Sequence, residues 1–209
     1  SSSSVYGISE TPNVTEENEL KPITDYSRFK ADGEQILAEY TTDDFVTVIV
    51  RPATVCGYSP RQRLDLIVNI LTMHAVVNGK ITVFGGDQVR PNLHVQDIVD
   101  FYQLMLEAPA EIINGQIYNV GFENHTVTKL AEMVKRVVME EMPSRETVEI
   151  VTTPSDDNRS YQISSEKIVQ DLDFKPRFSI EDAVREMVKA FNSGRLPDPT
   201  EDIRYSNIK

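Results

Sequence analysis

Residues 28–52 read RFKADGEQILAEYTTDDFVTVIVRP, and their reading decides the fold. In 28–40 the apolar residues Phe29, Ile36, Leu37 and Tyr40 recur at helical spacing, which predicts a helix with those four positions buried. FVTVIVR at 45–51 is a β-rich apolar run ending at Pro52, which predicts a buried strand with a loop after it. A helix feeding a buried strand is the unit from which α/β proteins are built.

The pattern continues outward. LDLIVNILTMHAVVN (64–78) is apolar at helical spacing and stops at Gly79, a candidate C-terminal cap. Short strands are predicted at 81–84 and 92–95, and a helix from Asp97, read as its cap, to about Leu106. A strand follows at 117–120, then a helix over 128–140 capped by Thr126 or Thr128. The last third predicts a strand at 147–152, a short helix near 164–171 and a helix at 180–191. The polar tail from Asn192 to Lys209 reads as loosely held. The 76–83 apolar stretch reads as core.

Bulk properties bound the function. The chain has 209 residues, 40% hydrophobic and 26% charged, enough for a real core. A formal net charge of -12 repels phosphate backbones, so nucleic acid is a poor partner, although local arginines can still hold a phosphorylated ligand. No run approaches the ~18 apolar residues of a membrane helix. Ser1–Ser4 show no leader-like basic or apolar region, and a cytoplasmic location is expected. The lone Cys56 excludes an internal disulfide, and no histidine partner nearby in sequence marks it as a nucleophile; it reads as a small loop residue. His74, His94 and His125 lack metal-ligand spacing; His74 and His94 read as packing residues.

The chemistry centres on Tyr26 and Lys30, four residues apart and therefore on one helix face. A cation near a phenol favours its ionised form, which can then act as a general base. A serine hydroxyl from SSSSVYG (1–7) can orient or relay the proton, and Glu34 continues the same face. Tyr-x-x-x-Lys alone is common. Its weight comes from the upstream serines, from Pro22 and from the strand ending Arg51-Pro52.

With these motifs the chain resembles the extended short-chain dehydrogenase/reductases, in the NAD-dependent nucleotide-sugar epimerase/dehydratase group that includes UDP-galactose and UDP-glucuronate 4-epimerases. SSSSVYG resembles the family's catalytic serine strand, with Ser2 at the catalytic hydroxyl. Tyr26 and Lys30 match its Y-x-x-x-K pair. RPATVCG (51–57) is similar to R-x-x-x-V-Y-G, with Cys56 for the usual tyrosine. VFGGDQVRPNLHVQD (83–97) is similar to the segment whose arginine, here Arg90, holds the ligand diphosphate. IYNVG (117–121) and DFKP (173–176) complete the pattern, and Arg159 occupies the place of a second phosphate-binding arginine.

The resemblance implies an α/β fold: an incomplete doubly wound Rossmann-type parallel sheet plus a smaller mixed α/β substrate domain. Residues 1–60 would be the C-terminal part of the NAD-binding domain. Residues 61–192 would be mainly the substrate domain, with a return to the sheet near 92–121, and 193–209 a tail. It implies NAD as cofactor, beside Tyr26, Lys30, Pro52 and Val55. The implied partner is a nucleotide-diphosphate sugar, near Ser3, Ser4, Thr54, Asn69, Arg90 and Arg159. It also implies a homodimer, with the Tyr26 helix in a helical bundle between copies.

In the family's 4,6-dehydratases an Asp-Glu pair follows the catalytic hydroxyl; here Ser3 and Ser4 stand there. A hydroxyl is a poor general acid, so epimerisation through a transient keto sugar is expected over dehydration. A sugar reductase is a further alternative. The sequence contains no G-x-G-x-x-G turn for a pyrophosphate, so an inert chain that only binds nucleotide sugar is the competing reading.

Overall fold

The computed structural model describes residues 1–9, 11–155 and 160–207. In chain order its elements are α1 (Asp25–Tyr40), β1 (Val48–Pro52), β2 (Thr54–Cys56), α2 (Ile67–Asn78), β3 (Lys80–Phe84), β4 (Val89–His94) and α3 (Val95–Glu107). There follow α4 (Ala110–Ile113), β5 (Gln116–Val120), β6 (Glu123–Thr126), α5 (Val127–Glu141), β7 (Glu149–Thr153), α6 (Glu166–Leu172) and α7 (Ile180–Asn192). Short 3-10 turns span Ser3–Tyr6 and Ile203–Tyr205. Helices alternate with strands, and most pairings are parallel, as the α/β reading requires.

The strands form three small sheets. β1 lies parallel to β5, Ile49 opposite Ile117 and Arg51 opposite Asn119. β2 lies parallel to β4, which pairs antiparallel with β6. β3 lies parallel to β7. The first core joins Val5 and Tyr6 to Val50, Leu93, Phe101 and Tyr118. The second packs α2, α5 and α7 on β3 through residues such as Leu71, Ile81, Leu130, Val134 and Val184. Each such fully buried side chain is worth about 1.5–3 kcal/mol over its exposed state.

Element types match where the sequence pattern predicts an element, though it predicts none at β2, α4 or β6, and Gly79 ends α2 in the left-handed conformation at φ 65°. Several details differ. α1 starts at Asp25, and its buried positions are Ser27, Ala31 and Glu34. Phe29, Ile36 and Tyr40, expected inside, are exposed, at 74%, 58% and 66%. Leu37 is half-buried. Periodicity located the apolar side of this helix but not what lies opposite it.

The strand expected over 45–51 starts only at Val48 and includes Pro52. The serine segment is a 3-10 turn, not a strand end, because the Ser2 side chain accepts the Ser4 N–H and folds the chain back on itself. Cys56 closes β2 and does not sit in a loop.

Asp97 does not cap α3. His94 does, its Nδ1 accepting the Gln96 N–H, while buried Asp97 accepts the backbone N–H groups of Arg177 and Phe178. The tail is held as well. Leu196 is buried in a third small core with Leu64, Met73 and Met187, and the Leu64 N–H donates to the Tyr205 carbonyl. In the 76–83 stretch Val77 is exposed, while Ile81 and Val83 are fully buried.

Candidate active site

The serine segment and α1 meet at one place, and a glycine lets them do so. At Gly7, φ is 67°, and a Cβ there would stand 2.0 Å from the Lys21 carbonyl oxygen. No larger residue fits that crossing. The Lys21 N–H donates to the Val5 carbonyl at 3.0 Å, tying the approach to α1 against the serine turn. Thr24 and Ser27 then form a reciprocal capping box that starts α1.

Tyr26 and Lys30 follow within the first two turns. The Lys30 ammonium stands 5.6 Å from the centroid of the Tyr26 ring, and Tyr26 is 58% exposed. Glu34, one turn on, does not continue that outward face. It points inward and takes the Arg51 fork with both oxygens, at 2.9 Å from Nε and 2.6 Å from Nη2. Leu37 lies beside Val48 and Ile49 along the same cavity wall. α1 therefore runs antiparallel to β1, Leu37 near its start and Glu34 near its end. One and two turns further back, Lys30 and Tyr26 fall beyond the carboxyl end of β1, where open parallel sheets bind their ligands. Lys30 and Ser1 line one end of this cavity, about 260 Å³, which runs along α1 past Glu34 and Leu37 to Val48 and Ile49 at the start of β1.

The three serines are differently placed. Ser2 is half-buried, its Oγ 3.0 Å from the Ser4 Oγ. Ser3 is buried, its Oγ 3.3 Å from the Tyr161 hydroxyl. Pro52 closes β1 opposite Val120, Thr54 lies opposite Asn92, and half-buried Val55 lies opposite Leu93. Arg90 is half-buried on β4 opposite His125. Arg159 lies outside the described residues.

Asn69 differs from its expected role as a ligand contact. It is buried, its Oδ1 accepts the Gly57 N–H at 3.1 Å, and its Nδ2 donates to the Arg63 carbonyl at 2.8 Å. Its amide shapes the 57–66 loop from within. Burial pushes the Cys56 thiol up from its ordinary range, which leaves it protonated and unsuited to nucleophilic work. His94 is buried, its Nε2 is 3.1 Å from the Glu186 carboxylate, and it stacks on Phe178. His74 is half-buried, and burial lowers its pKa.

Sequence reasoning missed a buried network beneath this site. Arg51 Nη1 donates to the Tyr6 hydroxyl at 2.7 Å, and that hydroxyl donates to Asn119 Oδ1 at 2.7 Å. Burial, opposed by Arg51, raises the Tyr6 pKa, so the phenol keeps the proton it donates. The available signal was a charged residue at the end of an apolar strand.

A phenol and an ammonium side by side at the start of one helix suit the ribose hydroxyls of a nicotinamide nucleotide and the hydroxyl of a substrate beside it. They fit that end of the dinucleotide only. The pyrophosphate needs a glycine-rich strand–turn–helix, and the sequence holds none. Among the described residues no cluster of His, Cys, Asp and Glu fits a metal ion, and no helix is long and apolar enough to cross a membrane.

Residues 1–121 match the sequence model of the NAD dependent epimerase/dehydratase family. The chain is 26% identical over 198 residues to dTDP-glucose 4,6-dehydratase 1 of Escherichia coli K12, covering 90% of this chain and 53% of that protein. It is 28% identical over 160 residues to UDP-glucose 4-epimerase of Lactobacillus helveticus, covering 68% of this chain and 48% of the relative. A crystal structure of dTDP-glucose 4,6-dehydratase from Bacillus anthracis in complex with NAD superposes with a TM-score of 0.78 at 25% identity, over 95% of this chain and 62% of that one. The chain spans about half the length of these curated relatives.

Proposed function

Because the chain belongs to the NAD dependent epimerase/dehydratase family, we propose that its natural-length protein epimerises a carbon of a nucleotide-diphosphate sugar. The observation that carries this reading is Ser2-Ser3-Ser4. No carboxyl follows the Ser2 hydroxyl, Ser3 is bonded to Tyr161, and the carboxylate of α1, Glu34, is committed to Arg51. Elimination of water lacks a proton donor there. Proton transfer to and from a sugar hydroxyl needs only the phenol and Ser2.

In this reading Tyr26 takes the proton of the sugar hydroxyl and later returns it. Lys30 holds ribose hydroxyls and keeps a positive charge beside the Tyr26 ring. Ser2 orients the hydroxyl being oxidised. NAD, when bound, supplies the hydride acceptor and donor. Pro52 and Val55 border the nicotinamide, while Ser3, Ser4, Thr54 and Arg90 face the sugar and its diphosphate. Asn69 shapes their loop.

A second copy is the proposed partner, covering the outward face of α1 with Phe29, Ile36 and Tyr40. The proposed setting is a reducing cytoplasm, in keeping with the lone buried thiol. One observation favours a second reading. Without a glycine-rich turn in its sequence, the 209-residue chain by itself binds nucleotide sugar but turns nothing over.

The test incubates the natural-length protein with UDP-, GDP-, dTDP- and CDP-sugars, once with NAD and once with NADH or NADPH, and identifies products by NMR and mass. An epimer of unchanged mass, formed without net cofactor consumption, is the expected product. A product lighter by one water overturns the reading in favour of a dehydratase, and consumption of reduced cofactor overturns it in favour of a reductase. Calorimetry of NAD with the 209-residue chain addresses the second reading, which tight binding would overturn.

A further inference from the structure

The Glu34–Arg51 pair has a geometry beyond what stability asks of it. Both side chains are almost fully buried, at 7% and 3% exposure. A buried ion pair recovers little more than its desolvation cost, and well-packed apolar residues are often as stable. Its value is therefore to be sought in geometry.

What the pair joins is informative. Glu34 lies one turn after Lys30 and two after Tyr26. Arg51 is the residue before Pro52. Through its Nη1 the guanidinium reaches Tyr6, four residues after Ser2, and the Glu16 carbonyl at 3.3 Å. Tyr6 passes the contact to Asn119, whose N–H donates to the Glu16 carboxylate at 2.7 Å and whose Nδ2 donates to the Val14 carbonyl at 3.2 Å. One guanidinium thus ties together α1, the end of β1, the serine turn and, through Tyr6, β5. The planar fork fixes direction as well as distance, which a lysine in its place would not.

We infer that Glu34 and Arg51 are positioning residues, holding the helix of Tyr26 and Lys30 against the Ser2 turn through the shared Tyr6 hydroxyl. This rests on the reading of Tyr26, Lys30 and Ser2 given above. Neither positioning residue touches substrate. Each acts by fixing where the phenol stands relative to the serine hydroxyl.

The test uses Glu34→Gln, which keeps shape and removes charge, and Arg51→Lys, which keeps charge and removes the fork. Both are made in the natural-length protein with 3-fluorotyrosine incorporated, and the Tyr26 ¹⁹F resonance is assigned by its loss in Tyr26→Phe. Folded variants are expected to lose about 10- to 100-fold in kcat with KM within about threefold, since a small misplacement costs rate more than binding. The Tyr26 resonance is expected to split or broaden, and Glu34→Asp to recover part of both signals. A folded Glu34→Gln with wild-type kcat and a single unshifted Tyr26 resonance overturns the inference. Should Glu34→Gln fail to fold, Arg51→Lys decides by the same two readouts. If neither folds, the pair serves stability alone and the inference falls. A wild-type protein that turns over no nucleotide sugar defeats the catalytic reading instead, and the ¹⁹F signal still decides the positioning.

Discussion

Helices α1 and α7 are built on opposite plans. α7 buries Ile180, Ala183, Val184, Met187 and Val188 at i, i+3, i+4, i+7 and i+8 and shows charge to solvent. α1 buries Ser27, Ala31 and Glu34 and turns Phe29, Ile36 and Tyr40 outward. α7 stabilises the fold by removing apolar surface from water. The inward face of α1 contributes little of that and instead forms a cap, a close approach and a buried ion pair. A helix so arranged holds side chains in place, and the apolar surface left outside is available to another copy.

The largest effects should fall on α7. Val184→Asp places an unpaired charge in the second core and is expected to prevent folding, read as loss of the cooperative thermal transition. Met187→Ala is expected to cost about 2–5 kcal/mol in denaturant unfolding, whereas Phe29→Ala should stay within about 0.5 kcal/mol in the monomer. Equal costs at the two sites would break the contrast.

Much of this was legible in the sequence, for reasons the two helices make plain. Element types and most boundaries followed from periodicity and end signals, with Gly79 and Thr126 as caps. Tyr26 and Lys30 could be paired from the sequence because both lie on one local element, and the structure puts the ammonium 5.6 Å from the ring centroid. What escaped notice depends on contacts between distant residues. Glu34 and Arg51 are 17 positions apart, and no local rule pairs them. Asp97 has helix-start spacing, yet its carboxylate serves a segment 80 residues on. Asn69 looked available because its partners, Gly57 and Arg63, are backbone groups, which a sequence does not display. The tail looked loose by composition, but single apolar residues such as Leu196 anchor it.

A moderate effect separates the two helices by association. Sedimentation of the 209-residue chain is expected to show self-association that Phe29→Ser with Ile36→Ser abolishes, while exposed positions on α7 such as Arg185 have no such effect. A monomeric wild-type chain would contradict the role given to the α1 face.

The smallest effect concerns the tail. The Arg63 side chain, with the Asn207 N–H, holds the Asp65 carboxyl below the usual carboxylate range. A depressed folded-state pKa stabilises above the unfolded value, about 4, and loses that stabilisation as pH falls through the folded one. Asp65→Asn should therefore cost about 1 kcal/mol near neutral pH, with the difference from wild type vanishing in acid below about pH 4. A difference independent of pH would remove the charge from the explanation.

The central claim is that α1 serves position before stability, and Tyr26→Phe in the natural-length protein tests it most directly. Turnover of the nucleotide sugar should fall at least about 100-fold, as for loss of a general base. Nucleotide-sugar affinity and the melting temperature should remain close to wild type. Substantial turnover retained by Tyr26→Phe would contradict the account.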